Sequence, residues 1–370
     1  MIVATILIAG YYGFHNAGDD AVLHGIITSL RRYDPTVHCR VLSNQPRHTR
    51  ALFQIPAYDR WNPWTIIRQL KKADMLVMGG GGLLQDVTSP RSILYYLGVV
   101  QMAKWLDKPV VFYAQGFGPV RRPLSKWLIR RTLNDIDLIT VRDEGSRDDF
   151  LRTGVTRPPL LVTADPAMAI DTSRVDEDLG RAILQRHRVP ATQVAIVSVR
   201  EWPAAKVPYK MLFARGLKRL IDRGWHVVFL PMQHPKDLRP SREIARHLGP
   251  AATVIETPLS VFDILNVIKA SHMVVGMRLH SLILAALLAV PAVAFSYDQK
   301  IERFSGRVGI PCAGSTHAAD EETFIHTLLS CSEHLDEARA AMIPGTKQMQ
   351  QLALETARRT IDILHRRLGE

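Results

Sequence analysis

Three side chains able to handle an anion stand close together in the stretch Val274–Lys300, VVGMRLHSLILAALLAVPAVAFSYDQK. Arg278 offers a rigid fork for a carboxylate or phosphate and Lys300 a compact point charge. Histidine, at position 280, is the residue type that exchanges protons near neutral pH. Arg278 and His280 precede an apolar helical run, and cations at a helix start oppose the helix dipole. A bound anion would relieve that mismatch, so this stretch is expected to be an anion site. Arg142, at the end of another apolar run (Asp137–Val141), is a further candidate ligand, the alternative being a local pair with Asp143 or Glu144. The carboxylates come from the loop Phe14-His15-Asn16-Ala17-Gly18-Asp19-Asp20, where flanking glycines let Asn16 and an acid face a ligand. Together these types suit binding of a phosphate or carboxylate beside a proton donor and a proton acceptor.

The elements that must carry them follow from hydrophobic periodicity. Met273–Val275 reads as a strand, Gly276-Met277 as a turn, and Ser281–Val290 as a buried helix closed by Pro291. Ala292–Phe295 reads as a strand, with a loop through Lys300. A βαβ unit places ligand groups at such strand ends and helix starts. Upstream, strands are expected at Ile2–Ala9, Val37–Leu42, Met75–Met78, Pro109–Tyr113, Asp137–Val141 and Leu160–Thr163. Helices are expected at Ala21–Arg32 (capped by Asp19 or Asp20), Pro63–Lys72 and Ser92–Leu106. The run Gly79–Gly82 follows its strand directly, and two readings are open: its backbone N–H groups, those of Gly80 and Gly81 included, form an anion nest, or the glycines only ease a tight strand-to-helix turn. The run is neither a phosphate-binding GK[ST] loop nor a dinucleotide fingerprint.

The polar stretch Asp171–Leu179 is expected to be a hinge. A second series then alternates: Val194–Val199, helix Met211–Arg223, Trp225–Leu230, helix Ser241–Leu248, Ala252–Ile255 and helix Val261–Ala270. Thr346–Leu368 is one long helical pattern. The fold class is therefore α/β, with two doubly wound Rossmann-like domains. Residues 1-172 form the N-terminal one, 173-345 the C-terminal one, and 346-370 a helix crossing back onto the first.

At 370 residues the chain exceeds one ordinary core, and 47% hydrophobic with 22% charged residues is the composition of a folded globular protein. Cys39, Cys312 and Cys331 lack metal-ligand spacing and are expected to be reduced thiols in a cytoplasmic protein. No metal site is expected. The N-terminus lacks a basic leader and reads as a strand, and the longest apolar run, Leu282–Phe295, is too short to span a bilayer and contains Pro291. A net charge of +12 admits nucleic acid, an anionic membrane surface or anionic substrates as partners. Nucleic acid is set aside because no zinc knuckle, RNP-like strand or recognition helix is present. The densest basic segment, Arg121–Arg131 (RRPLSKWLIRR), has five cations and no acid around Trp127, Leu128 and Ile129. It suits a helix lying on lipid headgroups, or an ordinary amphipathic helix with a solvated face.

Nine segments in this order, YYGFHNAGDDA, MGGGGLLQD, YAQGFGP, ITVRDEGS, ADPAMAI, IVSVREW, LPMQ, GMRLHSLI and SYDQK, resemble the polysaccharide pyruvyl transferase family, and most closely its CsaB-type bacterial members. The resemblance implies a GT-B-like fold with the acceptor side on the N-terminal domain and the phosphoenolpyruvate side on the C-terminal one. It implies transfer of a pyruvyl group from phosphoenolpyruvate to a sugar, giving a pyruvate ketal and phosphate, with phosphoenolpyruvate as co-substrate and no other cofactor. In CsaB-type members the acceptor is a lipid-linked saccharide carrying N-acetylmannosamine, made for a cell-wall polymer that anchors S-layer proteins. That places the protein in the cytoplasm, peripheral on the inner face of the plasma membrane.

For such chemistry the expected substrate ligands are Arg142, Arg278, Leu279, Lys300, Asn16, Gly80, Gly81 and Arg200. His280 is the expected general acid, and Asp19, then Asp20, the expected base. Two positions depart from the family pattern: Asp20 stands where glutamate is expected, and Gln299 where proline usually precedes the lysine. A nucleotide-sugar glycosyltransferase of GT-B type, with Asp298 or Glu302 on the ribose, is the alternative enzyme. A non-catalytic glycan- or membrane-binding protein is the other. Neither the oligomeric state nor the exact acceptor sugar follows from the sequence.

Overall fold

The computed structural model describes residues 4–86 and 90–369, so the first two residues of the strand expected from Ile2 lie outside it. The chain groups into two compact units. Unit 1 comprises Met1–Phe14, Asp19–Ile170 and Met349–Glu370, and unit 2 comprises His15–Gly18 and Asp171–Gln348.

Unit 1 is built on strands β1 (Thr5–Ala9), β2 (His38–Ser43), β3 (Ala57–Asp59), β4 (Met75–Met78), β5 (Gly81–Leu84), β6 (Val110–Phe117), β7 (Leu138–Val141) and β8 (Leu160–Val162). They run parallel in the order β3-β2-β1-β4-β6-β7-β8, with β5 paired to β6. Strands such as ILIA of β1 and MLVM are apolar throughout because both sheet faces are covered by helices. The order reverses between β1 and β4, the switch point at which doubly wound sheets take ligands.

The helix Pro63–Lys72 forms as its sequence predicts. Pro63 opens it, and Asn62 Oδ1 accepts the Thr65 N–H at 3.1 Å. The first helix, in contrast, spans Ala17–Tyr33 rather than starting at Ala21. Asn16 Oδ1 accepts the Gly18 N–H at 3.2 Å, so Asn16 takes the capping role expected of Asp19 or Asp20. Both acids lie inside the first turn, where they favour the dipole.

The last helix also starts early. It runs Leu335–Leu368, straight through Pro344 and Gly345, two residues that normally mark a boundary. Gly345 has a packing reason to be there: a Cβ would sit 2.3 Å from the Arg307 carbonyl oxygen. From Met349 onward the helix belongs to unit 1. Its buried stripe Met349, Ala353, Ala357, Ile361 and Leu364 has the spacing of one helix face. Burying Ile361 and Leu364 contributes about 1.5–3 kcal/mol each. Within that stripe Thr356 Oγ1 lies 2.9 Å from Thr163 Oγ1 and 3.3 Å from Thr140 Oγ1, so no buried hydroxyl there is stranded. The return of this helix onto the N-terminal unit is as the sequence predicts.

Unit 2 repeats the plan. Strands β9 (Val194–Ser198), β10 (His226–Phe229), β11 (Ala252–Val254), β12 (Met273–Gly276), β13 (Ala292–Ser296) and β14 (Cys312–Ser315) run parallel in the order β11-β10-β9-β12-β13-β14. Its switch point lies between β9 and β12. The helix Leu279–Leu287 is buried on almost every side, and its residues are apolar to match. The helix Glu177–Arg186, capped by Asp176, begins inside the polar stretch expected to be a hinge.

Candidate active site

In unit 2 three strand ends bring cations together. The loop after β9 carries Arg200 and Trp202. It is stapled by the Tyr209 hydroxyl, which donates to the Arg200 carbonyl (2.9 Å) and accepts the Trp202 N–H (3.2 Å). The loop after β13 carries Tyr297, only 6% exposed. The Arg200 guanidinium carbon lies 4.3 Å from the Tyr297 ring centroid and 5.1 Å from that of Trp202, and Lys300 Nζ lies 5.3 Å from Tyr297. These are cation–π distances. Burial pushes the Tyr297 phenol up, but Lys300, Arg200 and Arg278 more than offset it and leave the phenol below the usual tyrosine range.

Lys300 was expected on a loop. It lies instead in the first turn of the helix Gln299–Val308, because Asp298 caps that helix by accepting the Lys300 N–H at 3.1 Å. Asp298 also pairs with Lys300 Nζ at 3.3 Å. Gln299, the departure from the family pattern, accepts from Arg303 at 2.9 Å one turn on.

Arg278 is tied to protein more strongly. It stands at the N-cap of the helix Leu279–Leu287, as the sequence suggests, and a carboxylate of the protein meets its charge there. Its Nε donates to Asp237 Oδ2 at 2.9 Å, its Nη2 pairs with Asp237 Oδ1, and Gln233 Oε1 lies at 3.3 Å. Asp237 is 1% exposed. Removing the arginine would strand a buried carboxylate, at a cost of about 3–5 kcal/mol. Arg278 therefore holds the loop after β10 as well as lending charge. Three cations against two carboxylates, Asp237 and Asp298, still leave the cluster one positive charge.

His280 sits in the first turn of the same helix. The segment His15–Gly18 runs beside it: Ala17 N–H donates to Met232 O (2.9 Å), His234 N–H donates to His15 O (3.1 Å), and Asn16 bridges Gln233. A Cβ at Gly18 would lie 2.3 Å from His280 Nδ1, so only glycine lets the backbone lie against the imidazole. The Leu279 side chain is buried, which leaves its backbone N–H at the helix start as what it has to offer a ligand.

The remaining expected residues belong to unit 1. Arg142 follows β7, but its fork is held by Asp165 at 3.1 Å, with Asp143 at 4.0 Å, and it packs on Gly116. The glycine run is packed against protein. Gly79 N–H donates to Ala9 O at 2.8 Å, and Gly81 and Gly82 open β5. A Cβ on Gly79 would lie 1.9 Å from the Tyr12 hydroxyl, and one on Gly80 3.1 Å from the Pro166 ring. Close packing, together with a positive φ of 105° at Gly81, explains these glycines. Asp19 faces this run, its Oδ1 3.5 Å from where a Cβ of Gly81 would be. Burial, and then the Asp19 charge, push the Asp20 carboxyl up to about 7. Of the two acids, Asp20 is thus poised to gain and lose a proton near neutrality.

Sequence reasoning missed Tyr297, Trp202 and Asp237. The first two stand inside the segments SYDQK and IVSVREW, where an aromatic beside a strand-end cation was the available signal. Nothing in the sequence ties Asp237 to Arg278.

Among known proteins, the family model described as polysaccharide pyruvyl transferase matches residues 16–299. The chain is 22% identical to the amylovoran biosynthesis protein AmsJ of Erwinia amylovora over 362 residues, which cover 83% of this chain and 86% of that protein. Among solved structures it resembles HepE of Anabaena in complex with UDP and glucose (TM-score 0.67, 11% identity, 98% of this chain and 99% of the other). It also resembles a putative UDP-N-acetylglucosamine 2-epimerase of Listeria monocytogenes (TM-score 0.70, 12% identity, 99% and 97%). At such identities these likenesses carry the fold, which is GT-B-like.

Proposed function

The chain belongs to the polysaccharide pyruvyl transferase family, and from that premise we propose that it moves the pyruvyl group of phosphoenolpyruvate onto a saccharide. The observation that carries this reading is the Arg200–Tyr297–Lys300 stack at the switch point of unit 2. Its guanidinium packs on aromatic rings, and the cluster keeps a net positive charge that a phosphate and a carboxylate would neutralise.

In the proposed reaction a proton from His280 adds to the methylene carbon of phosphoenolpyruvate, and the central carbon becomes electrophilic. Two hydroxyl groups of the acceptor bond to that carbon while its bond to the phosphate oxygen breaks. Of the two protons the diol releases, one ends in the new methyl group, by way of His280, and the other on phosphate. Asp20, assisted by the Asp19 charge, is the proposed acceptor of a hydroxyl proton. Arg142, Gly80 and Gly81 act in this scheme by shaping unit 1, and Asn16 by holding the segment His15–Gly18 in unit 2. Leu279 offers its backbone, and no separate cofactor is needed.

The test is phosphate release from phosphoenolpyruvate that requires an acceptor glycan. Arg200→Ala and Lys300→Ala should each lose about 1.5–3 kcal/mol of transition-state stabilisation without loss of fold. Unchanged kcat/KM in both variants would remove this cluster from the donor site.

We further propose that the acceptor is lipid-linked, carries N-acetylmannosamine as in CsaB-type members, and is met at an anionic membrane surface on the cytoplasmic side. No helix among the described residues is long and apolar enough to cross a membrane. The helix Pro123–Leu133 turns Ser125, Ile129 and Leu133 inward and leaves Leu124 and Trp127 exposed among Arg121, Arg122, Lys126, Arg130 and Arg131. Trp105 is 76% exposed at the end of the adjacent helix Pro90–Trp105, whose Lys104 reaches the Thr132 carbonyl at 3.3 Å. Exposed tryptophans beside arginines suit a headgroup layer. Binding to phosphatidylserine vesicles should weaken steeply with salt, because screening acts over ~10 Å at 0.1 M. Absence of vesicle binding at low salt would end this part of the reading.

A further inference from the structure

Arg60 is 2% exposed, and its surroundings are aromatic. Its fork donates to the Gly10 carbonyl (2.7 Å) and the Tyr96 hydroxyl (3.3 Å). Its guanidinium carbon lies 4.4 Å from the ring centroid of Tyr95, 4.9 Å from Trp61, 5.2 Å from Phe14 and 5.4 Å from Tyr96. One cation thus fixes four rings from three separate parts of unit 1: the loop after β1, the end of β3, and the helix Pro90–Trp105. Tyr11 extends the wall by stacking on Phe14, with centroids 4.0 Å apart and planes 7° from parallel.

The outer end of this wall is exposed but not loose. Trp61 is 57% exposed, yet its indole N–H donates to Asn44 Oδ1 at 2.8 Å and its backbone N–H to Asp59 Oδ1 at 2.9 Å. Its ring meets Tyr95 at 5.3 Å. A surface tryptophan held by two hydrogen bonds and a ring contact is already ordered for stacking, so a ligand does not have to order it. The rim is polar and acidic. Asn44 and Asp59 edge Trp61, and Asp19 lies near enough to Tyr11 that, after burial itself, its charge helps hold that phenol above the usual range.

We propose that this wall is a saccharide-stacking subsite for the acceptor. A pyranose has an apolar C–H face and a rim of hydroxyl donors. The wall offers the converse, flat rings edged by carboxylate and amide acceptors. It stands at the carboxyl ends of β1 and β3, and the poised Asp20 lies in the first turn of the helix that follows β1. The identity of the sugar as acceptor rests on the transferase reading above; the stacking itself does not.

Saturation-transfer NMR with methyl N-acetyl-β-mannosaminide, methyl β-galactoside and uridine monophosphate tests this on the full chain, with phosphoenolpyruvate titrated in parallel by calorimetry. Trp61→Ala should weaken glycoside binding roughly tenfold or more. Trp61→Phe, which keeps a ring, should stay close to wild type. Phosphoenolpyruvate affinity should be unchanged in both variants, and each should still melt cooperatively, at a midpoint lowered modestly by the lost Asn44 and Arg60 contacts. Glycoside binding indifferent to Trp61→Ala, no glycoside binding by the wild type, or Trp61-dependent binding of the nucleotide alone would each overturn the subsite. Trp61-dependent glycoside binding in a protein that ignores phosphoenolpyruvate would instead sink the donor reading and leave the subsite standing.

Discussion

His280→Gln is expected to lower turnover by about 10²–10⁴-fold while phosphoenolpyruvate binding stays close to wild type. Glutamine still donates a hydrogen bond but cannot deliver a proton to carbon. The motive is position: His280 lies in the first turn of the helix Leu279–Leu287, two residues from the ion-paired Arg278, with its Nδ1 edge set against the Gly18 backbone. Gly18→Ala gives an independent check, because its methyl group would displace the ring without altering its chemistry. It should reproduce much of the loss in turnover. A histidine that only clamps phosphate would show its loss in the Michaelis constant instead. Near-normal turnover of His280→Gln would move the proton donor elsewhere, and Tyr297, its phenol held below the usual range by three neighbouring cations once burial is overcome, would be next to test.

The second large effect concerns Asp20, and it has opposite signs for activity and stability. The folded protein holds this carboxyl at about 7, against an ordinary value of 3.8. Below the ordinary value it is protonated in both folded and unfolded chains, and its neutral form contributes its full share to folding. As pH rises from there to about 7, the unfolded chain gives up the proton first, and that share is lost. Asp20→Asn removes the group that resists ionisation. The variant should match wild type near pH 4 and be more stable near pH 8, by a margin on the order of a few kcal/mol. Its activity should fall by about 10²–10⁴-fold, since amide nitrogen accepts no proton. Wild-type kcat/KM should likewise decline as pH drops through about 7. Urea melts at the two pH values, run beside phosphate release, decide the matter. A variant that is active, or no more stable at the higher pH, would count against Asp20 as the base.

Much of the fold was legible because local signals agreed. Pro63–Lys72 has a cap at Asn62, proline at its first position and an apolar stripe, and Met75–Met78 is a buried run between Asp74 and the glycines. Elsewhere local signals misled. Pro344 and Gly345 mark a boundary by propensity, yet a tight approach to the Arg307 backbone keeps the helix whole around them. Gly79–Gly82 looks like a ligand nest, but the space it leaves is taken by Tyr12, Pro166 and strand pairing.

The site was legible by residue type and not by partnership. Arg278, Lys300 and Arg142 all stand at strand ends as predicted. Whether each is spent on protein depends on Asp237, Asp298 and Asp165, and Asp237 and Asp165 are brought in only by tertiary packing. Arg200, named from the resemblance alone, is the cation with aromatic faces against it, and the ring it shares with Lys300 escaped notice.

The final helix also bears on how the protein is made. Unit 1 starts before unit 2 in the chain, but it also takes in Met349–Glu370. Until that helix emerges, the buried hydroxyls of Thr140 and Thr163 lack Thr356, and the apolar ground beneath Ile361 and Leu364 stays uncovered. All of unit 2 is translated in the meantime, a wait of roughly 10–40 s at ~5–20 residues per second. Unit 1 therefore starts before unit 2 and is completed after it. During that interval the nascent chain carries an open apolar groove, the kind of surface that a ribosome-associated chaperone binds.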